Sequence, residues 1–276
     1  STLMRSSAAS DVYKRQQLLF PNNRTTGYGD SEYKLLINYP AELVLRYAKE
    51  KKDNDLTKLA LQVMKVSEKR NYVDEFYLPL FYFLDSIPVS KSFVELERAF
   101  YSKTHSLVME RNLGTNFKNS LAFTLYGFGA KAGHRHPNGM AMELYGCGYV
   151  QGADQLRGHD YWGRDAHDYK ANVAGHNTVS PNGKGALDDM PQDINIIFSE
   201  PFVWDGKSNT AISPNNNYIE ALNYFNTDEI EAEQRRMMSI IRTSPENGYY
   251  VDIFRSKVTN GDNNYHDYIS VSYTHL

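Results

Sequence analysis

"AGHRHPNGMAMELYGCGYVQGAD" runs from Ala132 to Asp154. Its second half, "MAMELYGCGYV", carries apolar residues in short runs broken by Gly146 and Gly148. That pattern predicts two short strands joined by a tight turn, because closely spaced glycines supply the positive φ angles a hairpin turn needs. Residues i and i+2 of a strand point the same way. If "GHRHP" begins the first strand, His134 and His136 share a face and Arg135 points away. The turn would then carry Asp154 back toward His136. A third histidine, His176, follows in "NVAGHNTV". Two imidazoles and a carboxylate suit zinc. A metal-free cluster of polar loop histidines fits the same spacing.

The strand pattern extends outward from this stretch. "SLVMER", "SLAFTLYGFG", "INIIFSEPF", "YIEALNYF", "EAEQRRMMSIIRT" and "GYYVDIFRSKV" are short, often alternating, and separated by Gly, Asn, Asp and Pro. They predict a run of antiparallel strands. Upstream the period changes. "AELVLRYAKEKK" and "DLTKLALQVMKV" place apolar residues at helical spacing, the first with a basic end suited to a helix C-terminus. "VDEFYLPLFYFLDS" reads as a buried helix kinked or broken at Pro79, and a connecting helix is expected over Ser92–Tyr101. Helices followed by strands predict an α+β chain or two domains, with a boundary near residue 90 to 105.

Composition narrows the function classes. The chain has 276 residues, 41% hydrophobic, which is enough for one large or two smaller cores. A net charge of −3 gives no reason to expect nucleic acid or an acidic membrane as partner. With a single cysteine, Cys147, neither an internal disulfide nor a thiolate zinc site can form, so any metal would rest on His and carboxylate. Cys147 itself reads as a small buried hydrophobe. The 21 tyrosines suit either an aromatic β core or sugar stacking. No apolar run is long enough to span a bilayer. "SSAASDVYKRQ" near the start and "VSYTHL" at the end resemble translated adapter sequence. Residues 1–16 and 271–276 are therefore set aside, and the natural sequence is read as a fragment over 17–270.

The segments "GHRHPNGMAMELYGCGYVQGADQ…YKANVAGHNTV", with "GYGDS" upstream and "RRMMSIIRTSPENGYYVDIFRSK…YHDY" downstream, resemble the heparinase II/III-like family of polysaccharide lyases. The resemblance implies the last helices of an (α/α) toroid over 17–95, then an antiparallel β-sandwich over 96–270, incomplete at both ends. It implies β-elimination on a uronic-acid polysaccharide such as alginate or a glycosaminoglycan, in the periplasm or outside the cell. It assigns His134 to catalysis and His136, Asp154 and His176 to a zinc ion. The family's catalytic tyrosine and carboxylate-neutralising residue come from the helical domain upstream of "GYGDS". They are expected to lie outside this chain, and Tyr28 is no safe substitute. The fragment is thus expected to lack lyase activity.

Within "LRGHDYWGRDAHDY", between two of these ligands, Arg157 and Arg164 suit a uronate carboxylate, and Tyr161 and Tyr169 suit a sugar ring. A solvated surface loop is the bland reading of the same residues. Glu200 and Asp205 flank "PFVW" but read as strand-edge solvation, and "NGKGALDD" lacks phosphate-loop spacing. Two other functions fit the residues less well. A glycan-binding module without catalysis is the runner-up. A zinc hydrolase would need an open metal position beside a general base, and no HExxH-like helix is present.

Overall fold

The computed structural model describes residues 17–27, 39–66, 96–102, 106–127, 136, 139–152, 172–185, 195–199, 213–226, 229–260 and 265–271. The chain divides into two compact units. One holds Lys34–Leu96 with Ser1–Leu19 and Asn23–Thr25. The other holds Glu97–Leu276 with Phe20–Asn22 and Thr26–Tyr33.

The first unit contains a helical hairpin. Helix α1 spans Tyr39–Lys51 and α2 spans Asn54–Val66. Val44, Leu45 and Ala48 of α1 are buried, as are Leu56, Ala60 and Leu61 of α2. The turn between them is capped from both sides. Lys52 takes a left-handed φ of 54°, and Asp53 N donates to the Ala48 carbonyl at 2.8 Å. Asp53 then accepts from Leu56 N at 3.2 Å and so caps the N-terminus of α2. The helix expected over "VDEFYLPLFYFLDS" lies outside the described residues.

The second unit is built of antiparallel sheets. Strands β1 (Ala99–Ser102), β2 (Leu107–Asn112), β3 (Leu121–Tyr126), β4 (Met142–Gly146) and β5 (Tyr149–Val150) form a five-stranded sheet in sequential order. Strands β7 (Asn195–Ser199), β8 (Asn216–Asn226), β9 (Glu231–Arg242) and β10 (Gly248–Asn260) form a four-stranded sheet, ordered β10-β9-β8-β7. Two short strands, β6 (Val179–Pro181) and β11 (His266–Tyr268), pair with each other.

The two large sheets pack face to face. Tyr101, Val108, Phe123, Leu125 and Met142 of the first meet Ile219, Ala221, Met238 and Ile240 of the second in one apolar cluster. Burial alternates along β8 and β9, as the period-2 pattern requires. Tyr250 of β10 stitches the layers. Its hydroxyl donates to the carbonyls of Ala122 and Tyr145 on β3 and β4, and burial pushes its pKa upward, keeping the proton in place.

Three expectations change here. The connecting helix predicted over Ser92–Tyr101 is strand at its described end. Phe100 and Tyr101 are both buried, and alternate positions of a strand cover both faces where a helix would cover one. Of the segment "GHRHP", read as the start of a strand, the one described residue, His136, is not in a strand, and the described strand begins at Met142. Met140 sits at a left-handed φ of 60°, and a turn at Gly139 and Met140 precedes the strand. Cys147 is exposed, not buried. It forms the two-residue hairpin loop with Gly148, at φ of 55° and 90°, between the paired residues Gly146 and Tyr149.

Candidate functional site

His136 and His176 are brought together from segments forty residues apart in sequence. His136 lies in irregular backbone ahead of β4. His176 ends a short 3-10 turn over Val173–Gly175, which Asn172 caps by accepting from Val173 N at 2.8 Å. Both side chains are withdrawn from water, at 3% and 0% exposure, and their ring centres are 5.2 Å apart with planes tilted by 43°. Two imidazoles sharing a tetrahedral zinc at about 2.1 Å have ring centres about 5 Å apart, a separation this pair matches. Among the described residues no set of three His, Cys, Asp or Glu gathers around one point. His134, Asp154, Arg157, Tyr161, Arg164 and Tyr169 lie outside the described residues.

The backbone beside the two histidines is held by a polar network of Asn177 and Thr178, which belong to the "HNT" of the resemblance, and of Arg236, which the sequence reading did not single out. Thr178 Oγ1 donates to the Gly139 carbonyl at 2.7 Å. Asn177 Nδ2 donates to the carbonyls of Met142 at 3.3 Å and Gly152 at 3.1 Å, while Asn177 Oδ1 accepts from Val271 N at 2.5 Å. Arg236 of β9 is fully buried. Its Nη1 donates to the carbonyls of Met140 at 2.5 Å and Asn177 at 2.7 Å. Its Nε and Nη2 grip the Asp252 carboxylate of β10 at 2.8 and 2.6 Å, and the guanidinium lies 5.1 Å from the centre of the Phe254 ring. The available signal was a charge at an inward position of the β9 alternation, between Ala232 and Met238.

A buried acid lies on the face of the five-stranded sheet turned away from the sandwich core. Glu143 of β4 is inaccessible to water. Its oxygens accept from Gly27 N, at 3.2 Å to each, from Thr124 Oγ1 at 3.2 Å, and from the Tyr126 hydroxyl. Nearby, Phe20 stacks on Tyr145 at 5.7 Å between ring centres. Gly27, the first residue of "GYGDS", is thereby tied to β4. A separate groove of about 570 Å³ crosses the outer face of β8–β10, lined by Tyr218, Glu220, Arg235, Met237, Val251 and Arg255 among others. None of the residues selected from sequence lines it.

Fold and site together describe an antiparallel β-sandwich with a buried histidine pair at the loops leading into β4 and β6. No family model matches the chain. Over 162 residues, 52% of its length, the chain is 33% identical to an endo-acting ulvan lyase from Formosa agariphila, of which it covers 19%. In structure it is similar to heparinase III, with a TM-score of 0.50 and 13% identity, covering 87% of this chain and 34% of that one. It is equally similar to a mutant of the heparan sulfate lyase HepC from Pedobacter heparinus, with a TM-score of 0.50, 13% identity, and coverage of 87% and 30%. At such identity the structural likeness speaks to fold alone. The chain resembles the polysaccharide lyases of heparinase type, and it spans between 19% and 34% of the length of these relatives.

Proposed function

We propose that this chain is part of a lyase that cleaves a uronic-acid polysaccharide by β-elimination, with zinc held by His136, Asp154 and His176. The observation that carries the reading is the 33% identity to an endo-acting ulvan lyase across half of the chain. The buried pair His136–His176 supports the metal assignment. On this reading α1 and α2 are late helices of an (α/α) toroid, and the protein works outside the cytoplasm.

The chemistry sets what the residues must do. The proton at C5 is weakly acidic, and its removal builds charge on the neighbouring carboxylate. On this reading Arg157 and Arg164 pair with that carboxylate, and Tyr161 and Tyr169 hold the sugar ring. His134 moves a proton at the reacting carbons or faces the carboxylate. Zinc, when bound, shapes this pocket by fixing the segments that carry its ligands. The substrate class is an acidic polysaccharide, and ulvan is the first polymer to test.

The test uses the full-length protein that contains this chain, incubated with ulvan, alginate and heparan sulfate in water enriched in oxygen-18. Elimination gives an ultraviolet-absorbing unsaturated uronate and no solvent oxygen in the new ends. Product ends carrying oxygen-18 without that absorbance would identify a hydrolase and refute the proposal. Binding without any cleavage of the three polymers would favour a non-catalytic glycan-binding role.

A further inference from the structure

We infer that Arg236, Asn177 and Thr178 are positioning residues for the His136–His176 pair. The inference deepens the metal reading above and rests on its choice of these two histidines. Three contacts join the turn after His136 to the residues after His176. Thr178 holds the Gly139 carbonyl, Arg236 holds the carbonyls of Met140 and Asn177 with one nitrogen, and Met142 N donates back to Asn177 O at 3.3 Å. The Asn177 side chain adds a link to Gly152, at the end of the hairpin that leads toward Asp154.

Two features argue that this network fixes geometry and does more than fill space. Met140 adopts a left-handed φ of 60° without being glycine, a conformation that persists only where surroundings impose it. Arg236 grips the carbonyl of that same residue. The second feature is the nature of the clamp. A fully buried arginine paired with Asp252 is a poor source of stability, because apolar residues of similar volume stabilise such a site as well or better. What an apolar residue cannot do is point one donor group at two carbonyls from different segments while two more donors anchor it to β10. The strand ladder of the second sheet thereby sets the separation of two loops that have no ladder between them.

The test compares Arg236→Lys and Thr178→Val with a control, Tyr250→Phe, in the 276-residue chain. The control removes a buried hydroxyl elsewhere in the sandwich and leaves the clamp intact. One readout is zinc affinity by competition with a chelator. Arg236→Lys should weaken it about 10- to 100-fold, the usual range for groups that orient metal ligands, and Thr178→Val should weaken it less. Tyr250→Phe should leave affinity within about twofold of the parent even where its melting temperature falls as far. The other readout needs no metal. Nuclear Overhauser contacts between the ring protons of His136 and His176 should be present in the parent and the control, and lost or weakened in the two clamp variants. Contacts and affinity unchanged in Arg236→Lys and Thr178→Val would overturn the inference. A parent chain that binds no zinc, with ring contacts still lost in the clamp variants, would refute the metal reading and leave the clamp standing.

Discussion

Glu143 offers the sharpest test of how the described structure is held. Its carboxylate is fully buried on β4, and three donors are aimed at it: Gly27 N, Thr124 Oγ1 and the Tyr126 hydroxyl. Glu143→Leu keeps the bulk and removes the acceptor. A buried donor left without its acceptor costs about 1–3 kcal/mol. The two hydroxyls can rotate toward other acceptors, but the Gly27 N–H is fixed by the backbone. Removing the buried charge also returns part of its desolvation cost. The balance predicts a loss of about 1–3 kcal/mol, a fall of roughly 5- to 150-fold in the folding equilibrium. Glu143→Gln is milder. One amide oxygen still accepts from Gly27, and the hydroxyls can turn to accept from the new NH₂, so the loss should be about 1–2 kcal/mol. Urea unfolding followed by the far-ultraviolet strand signal measures both. A double-mutant cycle with Tyr126→Phe adds a check, since that change should cost about 1 kcal/mol in the parent and almost nothing beside Glu143→Leu. A Glu143→Leu chain within about 0.5 kcal/mol of the parent would show that the donors are satisfied without the carboxylate and refute this account.

Other expectations follow from single observations. Phe123 has no exposed surface and sits between the sheets, so Phe123→Ala should lower stability by about 3–5 kcal/mol in the same urea assay. At the hairpin loop Cys147 carries a φ of 55°, so Cys147→Asn should gain a few tenths of a kcal/mol while Cys147→Val should lose about 1, read as shifts in melting temperature. His176→Ala should abolish tight zinc binding in equilibrium dialysis while the strand signal in circular dichroism stays that of the parent.

The hairpin was legible because its cause is local. Two adjacent residues at positive φ, one a glycine, fold Met142–Val150 back on itself whatever surrounds them. The alternation in β8 and β9 was legible for a similar reason, since one face of each strand must be apolar. Strand β1 was not legible. "SFVELERAFY" carries helical spacing, and only its pairing with β2, Ala99 opposite Glu110 and Ser102 opposite Leu107, selects the extended form. Strands β6 and β11 are three residues each and exist only because distant segments meet.

The candidate site divides along the same line. His136 and His176 could be chosen from sequence because few side chains hold a metal, and their order is visible in one pass. Their supports could not be chosen that way. Arg236 stands in "QRRMM", where one arginine points outward and the next inward; the alternation with Ala232 and Met238 says which is buried, but not what it holds. The answer comes from Asp252 on the next strand and from two carbonyls far earlier in the chain, one at Met140 and one at Asn177. A buried guanidinium is tolerable only where such partners converge, and convergence is a property of the folded sandwich. Polar residues at inward strand positions, such as Gln234 reaching the Val179 carbonyl and Arg236 reaching Asn177, are therefore where a pattern-based reading fails and where the loops of the site are tied down.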